Sequence, residues 1–201
     1  MDKVRHYEKG FGKFVKSYTS NLNKVLEEID TKAIERLAEA LRKSWKEKRS
    51  VYICGNGGSA GNAMHLANDF IYGIGETKES GLKCGLKIEA LTGNTSVVTC
   101  LGNDIGYENI FAQQIETKGE KGDILIVLSG SGNSANIIKA INVAKKLEMQ
   151  THAILGFDGG ECLATADNCI HFKVNDMQMA EDTQLIVGHI IMQWLTSTNK
   201  T

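Results

Sequence analysis

Proline is missing from all 201 residues while glycine occurs 21 times, so glycine must supply the punctuation between elements. Paired cysteines are missing too: the five thiols at 54, 84, 100, 162 and 169 contain no C-x-x-C motif. Two of them fall inside apolar segments, where a free thiol behaves as a small hydrophobe, and this usage fits a reducing cytoplasm. The chain lacks a basic excess, with 23 Lys and Arg against 24 Asp and Glu, and has no run of like charge. That balance argues against nucleic acid as a partner. No apolar run reaches the ~18 residues of a membrane span, and Met-Asp-Lys-Val-Arg-His at the N-terminus has no apolar signal core. These absences predict a soluble, non-exported protein that does not act at a membrane. The length predicts one domain over 1–201, with an N-terminal helical segment (1–48) and an α/β core (49–201).

What is present centres on residues 123–139. Ile124 to Leu128 form an apolar, β-branched run of the kind a parallel strand shows when both faces are covered. The run ends in Ser129-Gly130-Ser131-Gly132-Asn133-Ser134, after which Ile137, Ile138 and Ile141 return at helical spacing. Strand, hydroxyl-rich loop and helix start together make an anion site, because glycines admit close approach while free helix N–H groups and hydroxyls donate. A plain strand-to-helix turn capped by Ser or Asn is the competing reading. The same design recurs earlier: Val51 to Cys54 reads as a strand, Gly55-Asn56-Gly57-Gly58-Ser59 as a loop, and 60–72 as a helix. Two such loops at the carboxyl ends of parallel strands would converge on one ligand. Neither matches G-x-G-x-x-G or a P-loop with its Lys, which disfavours NAD and ATP.

The remaining periodicity predicts helices over 4–29, 31–48 and 179–195 and strands over 86–91, 151–156 and 169–174. Between 93 and 122 it predicts a short helix, a turn at 102–106 and a longer helix including Ile110, Phe111 and Ile115. The first two helices carry more apolar surface than a small sheet covers, so packing between subunits and packing within one chain both remain open. Strands alternating with helices through short loops imply a doubly wound α/β fold with a parallel sheet.

His65 and Asp69 lie four apart on a predicted helix, sharing a face with Cβ atoms about 6 Å apart. One metal could take both. Glu181 and His189 are eight apart, about 80° around the axis and roughly 12 Å along it, which strains a single shared ion. The ordinary alternatives are a core histidine and an N-terminal charge pair, Glu181-Asp182. His6, His152 and His171 have no acidic residue at ligand spacing and read as structural.

Taken in order, Cys-Gly-Asn-Gly-Gly-Ser from 54, Ala-Met-His from 63, Gly-Asn-Asp from 102, Ser-Gly-Asn-Ser-Ala-Asn from 131 and His189 resemble the phosphoheptose isomerases (sedoheptulose 7-phosphate isomerases) of the sugar-isomerase, or SIS, superfamily. The resemblance covers nearly the whole chain. It implies a five-stranded parallel sheet flanked by helices in a homotetramer, with active sites between subunits and a phosphorylated sugar as substrate. By position it implies phosphate binding by Ser129, Gly130, Ser131 and Ser134. Substrate contacts are implied at Asn56, Gly57, Gly58, Ser59, Asn103, Asp104, Asp69 and Glu181. Zinc ligation is implied for His65, Asp69, Glu181 and His189, with Asp69 and His189 as acid and base. The chain departs from the family pattern in carrying Asp69 where Glu is common, Glu181 where Gln is usual, and glycines at 73 and 130 for arginine and threonine. A non-catalytic scaffold of the same superfamily, resembling the tetrameric partner of the bacterial replication initiator, and an isomerase of another sugar phosphate are the alternatives.

Overall fold

The computed structural model describes residues 10–198. Its organising strand is β5, Ile124–Ser129, every residue of which is buried. Side chains alternate across it: Ile124, Ile126 and Leu128 enter one apolar cluster and Leu125 and Val127 the other, as the two-residue period of a strand requires. β5 pairs with β1 (Ser50–Gly55) on one side and β6 (Gln150–Leu155) on the other. β4 (Lys87–Ala90) and β7 (Asn168–His171) form the edges, giving the all-parallel order β4-β1-β5-β6-β7. The doubly wound five-stranded expectation is met.

Helices α2 (Thr31–Glu47), α3 (Gly58–Asn68) and α8 (Met177–Thr198) contribute to the first cluster. Helices α5 (Ala112–Lys118), α6 (Ala135–Lys146) and α7 (Gly160–Thr165) contribute to the second, with α4 (Thr95–Asp104) packed against it. α2 begins where expected because Asp30 accepts from the Lys32 and Ala33 amides, satisfying two donors of the first turn. It buries Ala33, Ile34, Leu37, Ala38 and Leu41 along one stripe. α1, Phe11–Glu27, starts later than predicted; residues 4–9 of the expected helix, and His6, lie outside the described residues. Its apolar residues notwithstanding, α1 has no buried residue, and Phe11 is 84% exposed.

Three local expectations change. The helix after the first loop ends as a π-helical turn, Asp69–Gly73, and leads into an unpredicted two-residue hairpin of β2 (Glu76–Thr77) and β3 (Lys83–Cys84). The cause is competition for carbonyls: Phe70 O and Ile71 O accept from the Leu86 and Gly85 amides instead of from their own helix. Residues 102–104 belong to α4, so the longer helix of the 93–122 segment comes first. A single 3₁₀ turn, Tyr107–Asn109, then takes the corner.

Candidate functional site

The chain leaves β1 through α3 to the outer strand β4, then returns to place β5 on the other side of β1. Strand order therefore reverses between β1 and β5, with α3 and α6 diverging to opposite faces. Ligands of open α/β sheets bind in the crevice at such a point, beyond the carboxyl ends of the strands. Both glycine-rich loops lie there.

The loop after β5 is held from behind. Ser129 is buried and its hydroxyl accepts from the Gly132 amide at 3.0 Å. Gly132 has φ +68°, and a Cβ there would sit 2.0 Å from Gly159 O, so the loop after β5 admits only glycine at 132, where the turn after β6 packs on it. Gly156 N donates to Gly130 O, Cys162 N to Gly132 O and Glu161 N to Asn133 Oδ1, each at 3.0 Å. Gly130 is covered by the Met177 thioether, which a side chain there would have to displace. Ser134 starts α6 without a side-chain capping bond, so the loop is not the plain capped turn that competed with the anion-site reading. Ser131 and Ser134 are half-buried, and a cleft of about 460 Å³ opens beside Ser131, Asn133, Phe157, Asp158 and Asn175.

In the first loop Gly57 has φ +56°, and Gly58 packs directly on the Glu181 carboxylate. Ser59 is buried, its hydroxyl accepting from Gln184 Nε2 at 3.0 Å, which turns it toward α8. Asn56 reaches across to α6, exchanging two amide hydrogen bonds with Asn136 at 2.9 and 2.8 Å. Asn103 and Asp104 end α4 exposed, bonded to each other at 2.8 Å. Asp104 also accepts from the Cys100 thiol, and its carboxyl is held below the ordinary range by these two hydrogen bonds, Asn103 first. The link from this segment to the first loop is Tyr107, whose hydroxyl donates to Asn56 Oδ1 at 3.0 Å.

Helices α3 and α8 run side by side in the same direction. Gly58 meets Glu181, Asn62 donates to Glu181 O and Gln184 Oε1, and Leu66 packs on Gly188. A Cβ on Gly188 would lie 2.2 Å from Leu66 Cδ2, so this glycine sets the close approach of the two helices. One step on, His65 Nε2 and His189 Nε2 come within 3.0 Å, and each lies 3.4 Å from Asp69 Oδ2. Among the described residues these three form a group able to hold a metal ion. Ligands about 2.0–2.1 Å from a tetrahedral zinc are separated by roughly 3.3–3.4 Å, so the donor set and its spacing fit. Glu181, expected as a fourth ligand, is not in this group. Its carboxylate stays two helical turns back on Gly58, as the eight-residue separation from His189 requires.

His152 and His171 take no part. His152 is buried, and its Nδ1 faces Asn168 Nδ2 at 3.1 Å; His171 faces Phe157 O at 3.1 Å. What sequence reasoning did not find is the pairing of Asn136 with Asn56, the contact from Tyr107, and the role of Gly188. Asn136 closes the Ser-Gly-Asn-Ser-Ala-Asn motif, and nothing in spacing says that it spans to the other loop.

Comparison with known proteins agrees with this geometry. A model of the SIS domain matches residues 13–156. The phosphoheptose isomerase of Clostridium acetobutylicum is 37% identical over 158 residues, covering 79% of this chain and 78% of that protein. Two solved structures superpose well. A phosphoheptose isomerase from Neisseria gonorrhoeae has TM-score 0.83 and 27% identity, covering 94% of this chain and 100% of that one. One from Francisella tularensis has TM-score 0.82 and 25% identity, covering 91% and 96%.

Proposed function

Because the chain belongs to the SIS-domain family, and within it to the phosphoheptose isomerases, we propose that it is a zinc-dependent aldose–ketose isomerase. Its reaction is conversion of sedoheptulose 7-phosphate to D-glycero-D-manno-heptose 7-phosphate, a precursor of heptose-containing surface polysaccharide. The observation that carries this reading is the triangle of His65, Asp69 and His189 on helices that pack beside a glycine-rich loop at the sheet's switch point.

The phosphate belongs to the second loop. Ser131 and Ser134 hydroxyls and the uncapped first-turn amides of α6 donate to it, aided by the positive end of the helix. Ser129 and Gly130 shape that loop from beneath. Asn56, Gly57, Gly58, Asn103 and Asp104 flank the sugar chain, with Ser59 supporting from behind. Glu181, held on Gly58, faces the substrate rather than completing the ligand set.

His65 Nε2, Asp69 Oδ2 and His189 Nε2 would hold zinc, which when bound supplies a Lewis acid for the substrate carbonyl. Isomerisation moves a proton between the two carbons of that carbonyl end and needs a base and an acid within reach. Asp69 and His189 take these roles. Asp69 turns Oδ2 to the imidazoles while Oδ1 accepts from Asn68 Nδ2 at 3.3 Å, which fixes the plane of the carboxylate.

The exposed apolar residues of α1, Phe11 and Val15, support assembly as a homotetramer, in which α1 would be covered. Five free cysteines suit a cytoplasmic location. The test is product formation from a panel of ketose phosphates by protein purified without chelator. Conversion of sedoheptulose 7-phosphate, lost on chelation and restored by zinc, is expected. Conversion only of another ketose phosphate would change the substrate, and no conversion by zinc-loaded protein would overturn the isomerase in favour of a scaffold.

A further inference from the structure

Asn56 spends three of its four hydrogen-bonding positions on the protein itself. Its Oδ1 accepts from Asn136 Nδ2 at 2.8 Å and from the Tyr107 hydroxyl at 3.0 Å, which fills both lone-pair directions. Its Nδ2 gives one hydrogen to Asn136 Oδ1 at 2.9 Å. A single N–H remains, on a half-buried residue at the carboxyl end of β1.

The frame around this amide is stiff. Asn136 is the second residue of α6 and only 2% exposed, so its side chain has no solvent alternative to Asn56. The turn carrying Tyr107 is tied to the same helix, since Lys139 Nζ donates to Asn109 Oδ1 at 3.0 Å and lies 3.6 Å from a Glu108 carboxylate oxygen. Strand β1, helix α6 and the 107–109 turn thus meet at one amide plane. A planar amide held in a reciprocal pair cannot rotate without breaking both bonds.

We infer that Asn136 and Tyr107 are positioning residues that hold Asn56 as a one-directional hydrogen-bond donor toward an oxygen of the bound sugar phosphate. This rests on the proposed isomerase reading for the identity of the ligand. Fixing the amide before binding removes the cost of ordering it later, and it excludes a ligand group that offers Asn56 a donor. The two residues act through Asn56 and do not touch the ligand themselves. Asn136 also joins the two loops, so the placement of the sugar contact follows the placement of the phosphate loop.

The experiment compares Asn136→Ala, Tyr107→Phe, Asn56→Ala and the two double variants, reading kcat/KM for sedoheptulose 7-phosphate and the inhibition constant of inorganic phosphate. Asn136→Ala should lower kcat/KM about tenfold and Tyr107→Phe about threefold, the range for one misplaced hydrogen bond. The phosphate constant should stay unchanged, because α6 and its loop remain in place. In the Asn56→Ala background neither second substitution should have any further effect. Additive losses there, or a phosphate constant that rises in step with the loss of kcat/KM, would show a general structural role and overturn the inference. Should the buried Asn136→Ala variant not fold, the exposed Tyr107→Phe variant carries the same cycle. Amide NMR of the ligand-free protein supplies a readout that needs no activity. One Asn56 Nδ2 proton should be protected from exchange in the parent and lose that protection in Asn136→Ala, where its acceptor is gone, while Tyr107→Phe keeps it; equal exchange in the parent and Asn136→Ala sinks the inference. Absence of turnover in the parent, with that protection present, would instead sink the isomerase reading alone.

Discussion

Two histidine sites in this molecule have the same ingredients, an imidazole beside an aspartate, and opposite characters. At the sheet's lower end, His152 is buried with every neighbour committed. Arg36 Nε donates to Asn168 Oδ1 at 2.7 Å, which turns Asn168 Nδ2 toward Ala33 O at 3.0 Å and His152 Nδ1 at 3.1 Å. Asp167 is satisfied by Thr151 N and Oγ1 and lies 3.1 Å from Lys145 Nζ. Between α3 and α8, by contrast, His65 and His189 are about half-exposed and point their Nε2 atoms at each other and at Asp69. Across that 3.0 Å contact one ring nitrogen can donate and the other accept, and three metal-ligand atoms crowd one exposed point. A histidine able to take a metal is thus told from a core histidine by where its nitrogens face.

The sharpest way to break this comparison is to delete from each site in turn. Asp69→Asn and His65→Ala should each lower kcat at least about a hundredfold and reduce bound zinc, since a lost ligand removes both geometry and charge. His152→Gln should leave zinc content and kcat within about twofold while changing stability only, because its partners are structural. Metal analysis with steady-state kinetics on the same preparations checks both. Activity surviving in Asp69→Asn, or zinc lost in His152→Gln, would erase the distinction.

How far the two sites were legible in sequence follows from the same contrast. The sheet could be read because burial on both faces writes itself as a continuous apolar run in β5, and because Asp30 marks the start of α2. His65 with Asp69 could be read because four residues is one helical turn. The arrival of His189 could not. It depends on the register of α8 against α3, set by contacts more than a hundred residues apart, Leu66 on Gly188 and Gln184 on Ser59. The same register leaves Glu181 on Gly58, so of the four residues that the resemblance implies as ligands, three lie together as a group able to hold a metal ion. The π turn and the hairpin of β2 and β3 were hidden for a similar reason, since a pair of distant amides takes the carbonyls that local periodicity assigns to the helix.

That register gives the second prediction. Gly188→Ala places a methyl group where Leu66 already stands, and overpacking of this kind costs about 1–3 kcal/mol. The two helices must part, and His189 lies on the residue next to the wedge. Zinc affinity should fall about tenfold or more, as it does when groups that orient ligands are disturbed, although no ligand has been changed. Denaturant titration and competition with a chromogenic chelator measure the two effects. A variant as stable as the parent with unchanged zinc affinity would show that the helix spacing does not assemble the triad.

The smallest effect comes from the buried partner in the comparison and is read through pH. Burial, opposed by Asp167 and reinforced by Arg36, lowers the His152 pKa from 6.5 to about 4. The geometry supplies the reason that the neutral form persists. Arg36 fixes Asn168 so that its N–H points at His152 Nδ1, and a proton on that nitrogen would set two donors face to face. A folded value below the unfolded one means that the unfolded chain binds the proton more readily. Stability from this residue is therefore whole above about pH 6.5 and is lost as pH falls toward 4. Between pH 7 and 5 the loss should be about 2 kcal/mol. His152→Gln, with a carbonyl that accepts from Asn168 and cannot titrate, should flatten that slope in urea titrations at each pH. Changes at His65, Asp69 or His189 would leave it in place. A parent protein whose stability is level from pH 7 to 5 would mean that His152 takes up its proton within the fold, and the two histidine sites would then differ in exposure but not in chemistry.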